Sequence, residues 1–228
     1  MSDKIINYYD KLKIGAGVKK PKNFNKHLIE HNSHILVIGK TGTGKTNWLM
    51  NYLSRSNGEF SKIIIFTGST TQEPLYKIIQ DANDDILIIN DIEELPELDE
   101  LEEEDDEAKP KLIIFDDFIN LSTKELKRIF KYIVSSRKYG CSCIMMAQDY
   151  KSVPKLIVRN VNYIILFRIN DNVSINNIIR NHNINNIDKD ALKEIYLDAT
   201  EIPLNFLTLD FKTNDERYKI RRNFTEII

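Results

Sequence analysis

Residues 39–46 read G-K-T-G-T-G-K-T and match the phosphate-binding pattern G-x-x-x-x-G-K-[ST] at every fixed position. Such a loop curls until its backbone N–H groups converge on phosphate oxygens, and Gly39, Gly42 and Gly44 supply dihedrals that side chains resist. Lys40, Thr41 and Thr43 fill the variable positions. Lys45 brings a mobile charge to the β and γ phosphates, and Thr46 offers a hydroxyl to Mg²⁺. Asn47 continues into a helix whose positive end faces the anion. The stretch predicts a nucleoside-triphosphate site over residues 39–47.

The pattern carries this meaning only between a buried strand and a helix. Ile35-Leu36-Val37-Ile38 precedes it as a short apolar run, and Trp48, Leu49, Tyr52 and Leu53 follow at helical spacing. Working outward, a second fixed point is Lys111-Leu112-Ile113-Ile114-Phe115 running into Asp116-Asp117. An apolar strand ending in a carboxylate is what a phosphate loop needs to hold Mg²⁺, which selects Asp116. Asp117 stands one residue on, where a carboxylate polarises the attacking water. A further strand over 141–147 delivers Gln148, an uncharged amide able to orient water against the γ-phosphate.

Between Thr46 and Asp116 there is room for two more strands, 62–66 and 86–89, with a helix over 73–82 presenting Leu75, Ile78 and Ile79 on one face. The acidic strand is therefore not the sequence neighbour of the loop strand. That order belongs to the ASCE division of phosphate-loop proteins rather than to kinases or GTPases, and no N-K-x-D base-recognition motif is present. The expected fold is α/β, a three-layer phosphate-loop NTPase with a mainly parallel central sheet.

Composition narrows the class. At 228 residues with 42% hydrophobic and 29% charged content, the chain is that of a globular domain, with no membrane-length apolar run or secretory leader. Cys141 and Cys143 alternate along a predicted buried strand and read as core residues in a reducing compartment. The four histidines show no metal-binding spacing. Twelve of the 34 acids lie between Asp91 and Glu107, leaving 32 Lys and Arg against 22 acids elsewhere. A basic body favours a polyanion, or is simply a solvated lysine-rich surface. The acidic stretch, 91–109, is expected to be an exposed, mobile insertion that buries almost nothing. Residues 1–32 read as a basic, irregular arm ending in a short helix, and 33–228 as one ATPase domain. Ser122 with Glu125 predicts a capping box opening a helix over 123–138. Two helices over 172–182 and 188–198, a strand over 205–211 and a basic tail with Arg217, Lys219, Arg221 and Arg222 complete the chain. The asparagine-rich 176–186 carries no chemistry.

These elements, together with Ser136-Arg137-Lys138-Tyr139-Gly140, Ala147-Gln148, Val153-Pro154-Lys155, Arg159-Asn160 and Ile165-Leu166-Phe167-Arg168, resemble the FtsK/HerA superfamily of DNA translocases. More narrowly, the chain resembles the genome-packaging ATPases of poxviruses, other large nucleocytoplasmic DNA viruses and virophages. The resemblance implies ATP and Mg²⁺ as cofactors, a pentameric or hexameric ring, double-stranded DNA as the track, and capsid protein as a further partner. It places the protein inside the host cell, in cytoplasm, viral factory or virion. It also implies that Lys45, Asp117 and Gln148 act in hydrolysis, and that Arg137 or Arg159 serves as a finger across a subunit interface. Cellular members usually carry Glu at the position of Asp117, whereas the packaging branch accepts Asp. Two other readings stay open at this point: a slow nucleotide-dependent module that holds DNA or capsid protein, and a cellular HerA-like motor.

Overall fold

The computed structural model describes residues 20–68, 73–101, 109–182 and 187–228. Expectations for 1–19, for 102–108 in the acidic stretch and for 183–186 in the asparagine-rich segment lie outside the described residues.

Apolar β-branched runs make the strands. β1 (His34–Ile38), β2 (Lys62–Thr67), β3 (Ile86–Ile89), β4 (Lys111–Asp116), β5 (Cys141–Ala147) and β6 (Tyr163–Leu166) are parallel, and β7 (Leu207–Asp210), β8 (Ile220–Arg222) and β9 (Glu226–Ile227) add on antiparallel in the order β3-β2-β4-β5-β1-β6-β7-β8-β9. β5 lies between β4 and β1, pairing Asp116 with Met146 on one side and Ile38 with Ala147 on the other. This is the inserted-strand order that the sequence predicts, and it puts Gln148 next to the acidic strand.

The central strands are buried on both faces, so successive residues feed two separate cores. Ile35 and Val37 join one core with Trp48, Leu49 and Tyr52 of α2 (Lys45–Arg55) and Tyr76 of α3 (Pro74–Ala82). Leu36 and Ile38 join the other, under α4 (Thr123–Ser135), α5 (Lys155–Asn160), α6 (Asn172–Asn181) and α7 (Lys189–Ala199). Ser122 and Glu125 close the capping box of α4, which stops at Ser135 and passes into a 3₁₀ turn over Ser136–Tyr139. Cys141 and Cys143 are buried, and neither is in a disulfide.

Four expectations need correction. The buried face of α3 centres on Tyr76, 1% exposed, whereas Ile78 is 60% exposed; the tyrosine alone reaches a polar partner beneath the helix. The short helix before β1 is α1 (Phe24–His27), ended by Leu28 in the left-handed region. His27 and Ile29 are buried, His27 against the Tyr52 ring and near the buried Glu59 carboxylate.

The described part of the acidic stretch, 91–101, is exposed only at its charges. Ile92, Leu95 and Leu101 are buried in the sheet's core, and Arg128 of α4 donates to Glu93 at 2.9 Å and to the Leu95 carbonyl. Lys124, Arg128 and Lys131 form a cationic stripe that meets Glu93 and Glu97. Leucine and isoleucine interleaved among the acids give the segment a buried side that charge counting hides. The basic tail, finally, is ordered, with Arg217 in a 3₁₀ turn and Arg221 and Arg222 in β8. Arg221 is fully buried and bound to Asp210 at 3.0 Å, and Arg217, Lys219 and Arg222 pair with Asp215, Glu216, Glu226 and Asp198.

Candidate functional site

In a parallel sheet the carboxyl ends of the strands open onto a crevice beside the point where the chain reverses direction across the sheet. Here that crevice is a cleft of about 450 Å³ whose lining includes Thr41, Gly42, Gly44, Lys45, Thr46 and Asn47 from the loop, Asp116 and Asp117 after β4, and Gln148 after β5. The structure brings these sequence-predicted residues together. Gly39, Lys40 and Thr43 complete the loop. Gly39 N–H donates to the Ala147 carbonyl at 3.2 Å and Thr43 Oγ1 donates to the Lys40 carbonyl at 2.7 Å.

Gly44, with φ 110°, caps the amino end of α2, a conformation in which a side chain is strained. Lys45 Nζ folds back onto the Gly39 and Lys40 carbonyls, at 2.7 and 3.2 Å. Burial lowers its pKa, and the charges of Asp116 and Asp117 oppose that effect. The ammonium is thus held over the cradle where phosphate oxygens would replace the carbonyls as acceptors. Gln148 is exposed, and its Oε1 accepts from Thr41 Oγ1 at 3.2 Å, which ties the tip of β5 to the loop.

Asp116, at the end of β4, is half-buried. Burial raises its pKa, while the Tyr76 hydrogen bond and the Lys45 charge pull the other way. Asp117 turns away from the strand through the left-handed region, φ 52°. Gly68, just past β2, makes that turn possible. Its N–H donates to the Asp116 carbonyl at 3.0 Å, and a Cβ on it would sit 2.3 Å from the Asp117 carbonyl oxygen. Asp117 therefore projects into the cleft because the residue that follows β2 has no side chain.

Sequence reasoning missed Thr67, Glu73, Tyr76 and Gly68. Thr67 pairs with Asp116 in the sheet, and Glu73 lines the cleft just before α3. Tyr76 donates to Asp116 Oδ2 at 2.7 Å, and the Thr46 side chain stands beside the same hydroxyl. The only available signal was positional: β2 must end at the same edge as β4, so residues after it border the site.

The tyrosine hydroxyl lies between the two residues predicted to hold Mg²⁺, Thr46 and Asp116. A hydroxyl and one carboxylate are hard oxygen donors of the kind that bind Mg²⁺ together with substrate phosphates. Among the described residues no group of three or more His, Cys, Asp or Glu could form a cage for a softer metal. The donor set fits the ion.

Arg137 and Arg159 are not part of this cleft. Arg137 lies in the 3₁₀ turn just before β5, and Arg159 in α5 before β6, both exposed at the amino edge of the parallel strands. Arg159 lines a separate basic hollow with Lys155 and Arg180.

A family model described as "Poxvirus A32 protein" matches residues 21–202. Comparison with curated proteins finds no match. Among solved structures, the chain is similar to B204, the DNA-packaging ATPase from Sulfolobus Turreted Icosahedral Virus, with a TM-score of 0.56 and 14% identity over 86% of this chain and 98% of that one. The genome-packaging NTPase B204 of Sulfolobus turreted icosahedral virus 2, in complex with ATP-gammaS, gives 0.54 and 13% over 86% and 98%. The pCW3 conjugation coupling protein TcpA gives 0.58 and 17% over 86% of this chain and 61% of that one. These likenesses establish the shared fold.

Proposed function

This chain belongs to the Poxvirus A32 protein family, and from that premise we propose that it hydrolyses ATP to drive double-stranded DNA into a viral capsid. The observation that supports this most is the convergence, in one cleft, of the phosphate loop with Asp116, Asp117 and Gln148 from the two strands beside it. The loop and Lys45 bind the triphosphate. Thr46 and Asp116 would hold Mg²⁺, which would supply charge neutralisation to the phosphates. Asp117 takes the proton of the attacking water, and Gln148, steadied by Thr41, orients that water against the γ-phosphate.

Hydrolysis becomes movement in a ring of five or six copies. Arg137 and Arg159 stand at the edge opposite their own phosphate loop, so a finger role for either runs across a subunit boundary. The DNA is gripped by the ATPase core itself. Capsid protein is the further partner. The place of action is the interior of the infected cell or the virion; among the described residues no helix is long and apolar enough to cross a membrane.

The test is steady-state ATP hydrolysis at low salt with and without linear double-stranded DNA, beside Lys45→Ala and Asp117→Asn. Stimulation by DNA that disappears in both variants is the expected result. A slow rate indifferent to DNA, at concentrations where rings form, would replace the motor with a nucleotide-dependent binding module.

A further inference from the structure

The basic hollow lies at the amino edge of the parallel strands, away from the nucleotide cleft. Its volume is about 630 Å³, and Lys155 and Arg159 of α5 and Arg180 of α6 surround an apolar lining of Val158, Val161 and Phe211. No described carboxylate lines it. His182 borders it as well, hydrogen-bonded to the Tyr150 hydroxyl at 2.9 Å and stacked on Phe211, and burial lowers its pKa to about 4, so the ring is neutral. The three cations are unanswered: among the described residues Lys155 and Arg159 make no hydrogen bond or ion pair, and Arg180 donates only to the Asn177 side chain, at 3.2 Å. Like charges around one recess repel until an anion enters, and the apolar lining reduces screening of the attraction when it does. Arginine beside an aromatic and aliphatic floor is also the composition of a protein contact, in which a desolvated pocket receives single side chains.

The same chain carries the complementary surface. On 91–101, Glu93 and Glu97 are answered by α4, but Glu94 and Asp99 are exposed and in no ion pair among the described residues. Ile92, Leu95 and Leu101 hold that segment on the core, so its free carboxylates are presented with little further ordering cost. They do not meet the hollow of their own chain. The segment follows β3, at one end of the sheet, and packs against α4, whereas the hollow borders β6 and β7 across the sheet. Two different surfaces that match in charge make a heterologous contact, in which every copy offers one and receives the other, and such a contact generates a ring when the rotation closes.

We propose that the hollow formed by Lys155, Arg159 and Arg180 of one copy receives the acidic 91–101 surface of the next copy, with Glu94 and Asp99 as the entering carboxylates. The inference rests on the ring of the proposed function and adds which surfaces meet. It assigns Arg159 to this contact and leaves Arg137 as the trans finger.

The experiment is sedimentation velocity of the full chain with Mg²⁺·ATP. It compares the wild type, a hollow variant (Lys155→Glu with Arg180→Glu), an acidic-surface variant (Glu94→Lys with Asp99→Lys) and the chain carrying both pairs. All four side chains are exposed, so thermal unfolding and ATP binding should be unchanged; the milder Lys155→Gln with Arg180→Gln repeats the test without reversing charge. Each reversed pair should weaken assembly by about a hundredfold, and the chain carrying both should recover most of it. Wild-type assembly should weaken as salt rises from about 0.1 M to about 1 M. Reversed variants that assemble as the wild type does would overturn the contact and leave the ring standing through another surface. A chain with both pairs that recovers nothing would also overturn it, as would hollow variants that assemble normally but lose DNA stimulation of hydrolysis, which would give the hollow to the duplex. A wild type that stays monomeric with ATP and DNA present would overturn the ring reading itself, and this inference with it.

Discussion

Tyr76→Phe removes one oxygen from the centre of the site and leaves the buried ring in place. That oxygen donates to Asp116 Oδ2 at 2.7 Å from a side chain only 1% exposed. A hydrogen bond to a charged partner contributes about 1.5–3 kcal/mol, so the nucleotide-free variant should be less stable by about that amount. If, as proposed, Mg²⁺ in the loaded site engages the oxygens of Thr46 and Asp116, the hydroxyl is displaced from between them. Its stabilisation is then missing from the loaded state of both proteins. The thermodynamic cycle closes only if the variant binds Mg²⁺·ATP more tightly, by about tenfold for each 1.4 kcal/mol, or roughly ten- to hundredfold over that range. The assay pairs urea denaturation without nucleotide with calorimetric titration of Mg²⁺·ATP. Unchanged or weaker binding together with the full stability loss would refute the reasoning, because Tyr76 would then keep its bond to Asp116 in the loaded state.

The remaining predictions concern the frame around the site. Asp210→Asn strips the buried Arg221 of its counter-charge and weakens acceptors for the Lys212 and Thr213 N–H groups; it should cost about 3–5 kcal/mol by urea denaturation, and a loss under 1 kcal/mol would contradict the burial argument. His34 is buried at the start of β1, and burial first, then the Arg137 charge, push its pKa down to about 4. The unfolded chain therefore binds more protons than the folded one between pH 6.5 and 4, and stability present at neutral pH is lost as pH falls through that window. His34 alone should account for a loss of about 2 kcal/mol between pH 7.5 and 5, read as the difference between the wild type and His34→Gln; equal slopes would rule out His34 as the source. Gly68→Ala should abolish hydrolysis, since its Cβ would displace the Asp117 carbonyl, while tripolyphosphate binding at the loop persists; normal turnover would show that the Asp117 turn is not set by Gly68.

The phosphate loop, the acidic strand and the strand between them were legible because each rests on local chemistry. A loop that must wrap phosphate needs glycine at fixed spacing, and a strand buried on both faces needs an unbroken apolar run. Gly39 to Asn47, Asp116, Asp117 and Gln148 follow from such constraints, and the inserted-strand order follows from counting strands. Tyr76 does not. Its function depends on α3 setting one side chain across β2 onto Asp116, 40 residues away in sequence, and the helix reads equally well with Ile78 inward. Arg221 was misread for the same reason: among Arg217, Lys219 and Arg222 it looks like part of a charged tail, and only its pairing with Asp210 across β7 and β8 separates it.

The acidic stretch shows how composition misleads when charge and burial occur on different residues of one segment. Repulsion among carboxylates opposes folding only where nothing answers them. Here α4 presents Lys124, Arg128 and Lys131 to Glu93 and Glu97, while Ile92, Leu95 and Leu101 close over the sheet beneath. Surface pairs of this kind contribute little individually, so burial of the three aliphatic side chains holds 91–101 in place and the pairs fix its register on the helix. The segment is thereby attached to α4, which leads through its 3₁₀ turn and Arg137 into β5 and so to Gln148. A chain of ordered elements thus connects an acidic surface to the Gln148 edge of the cleft, and the candidate trans arginine lies on that path.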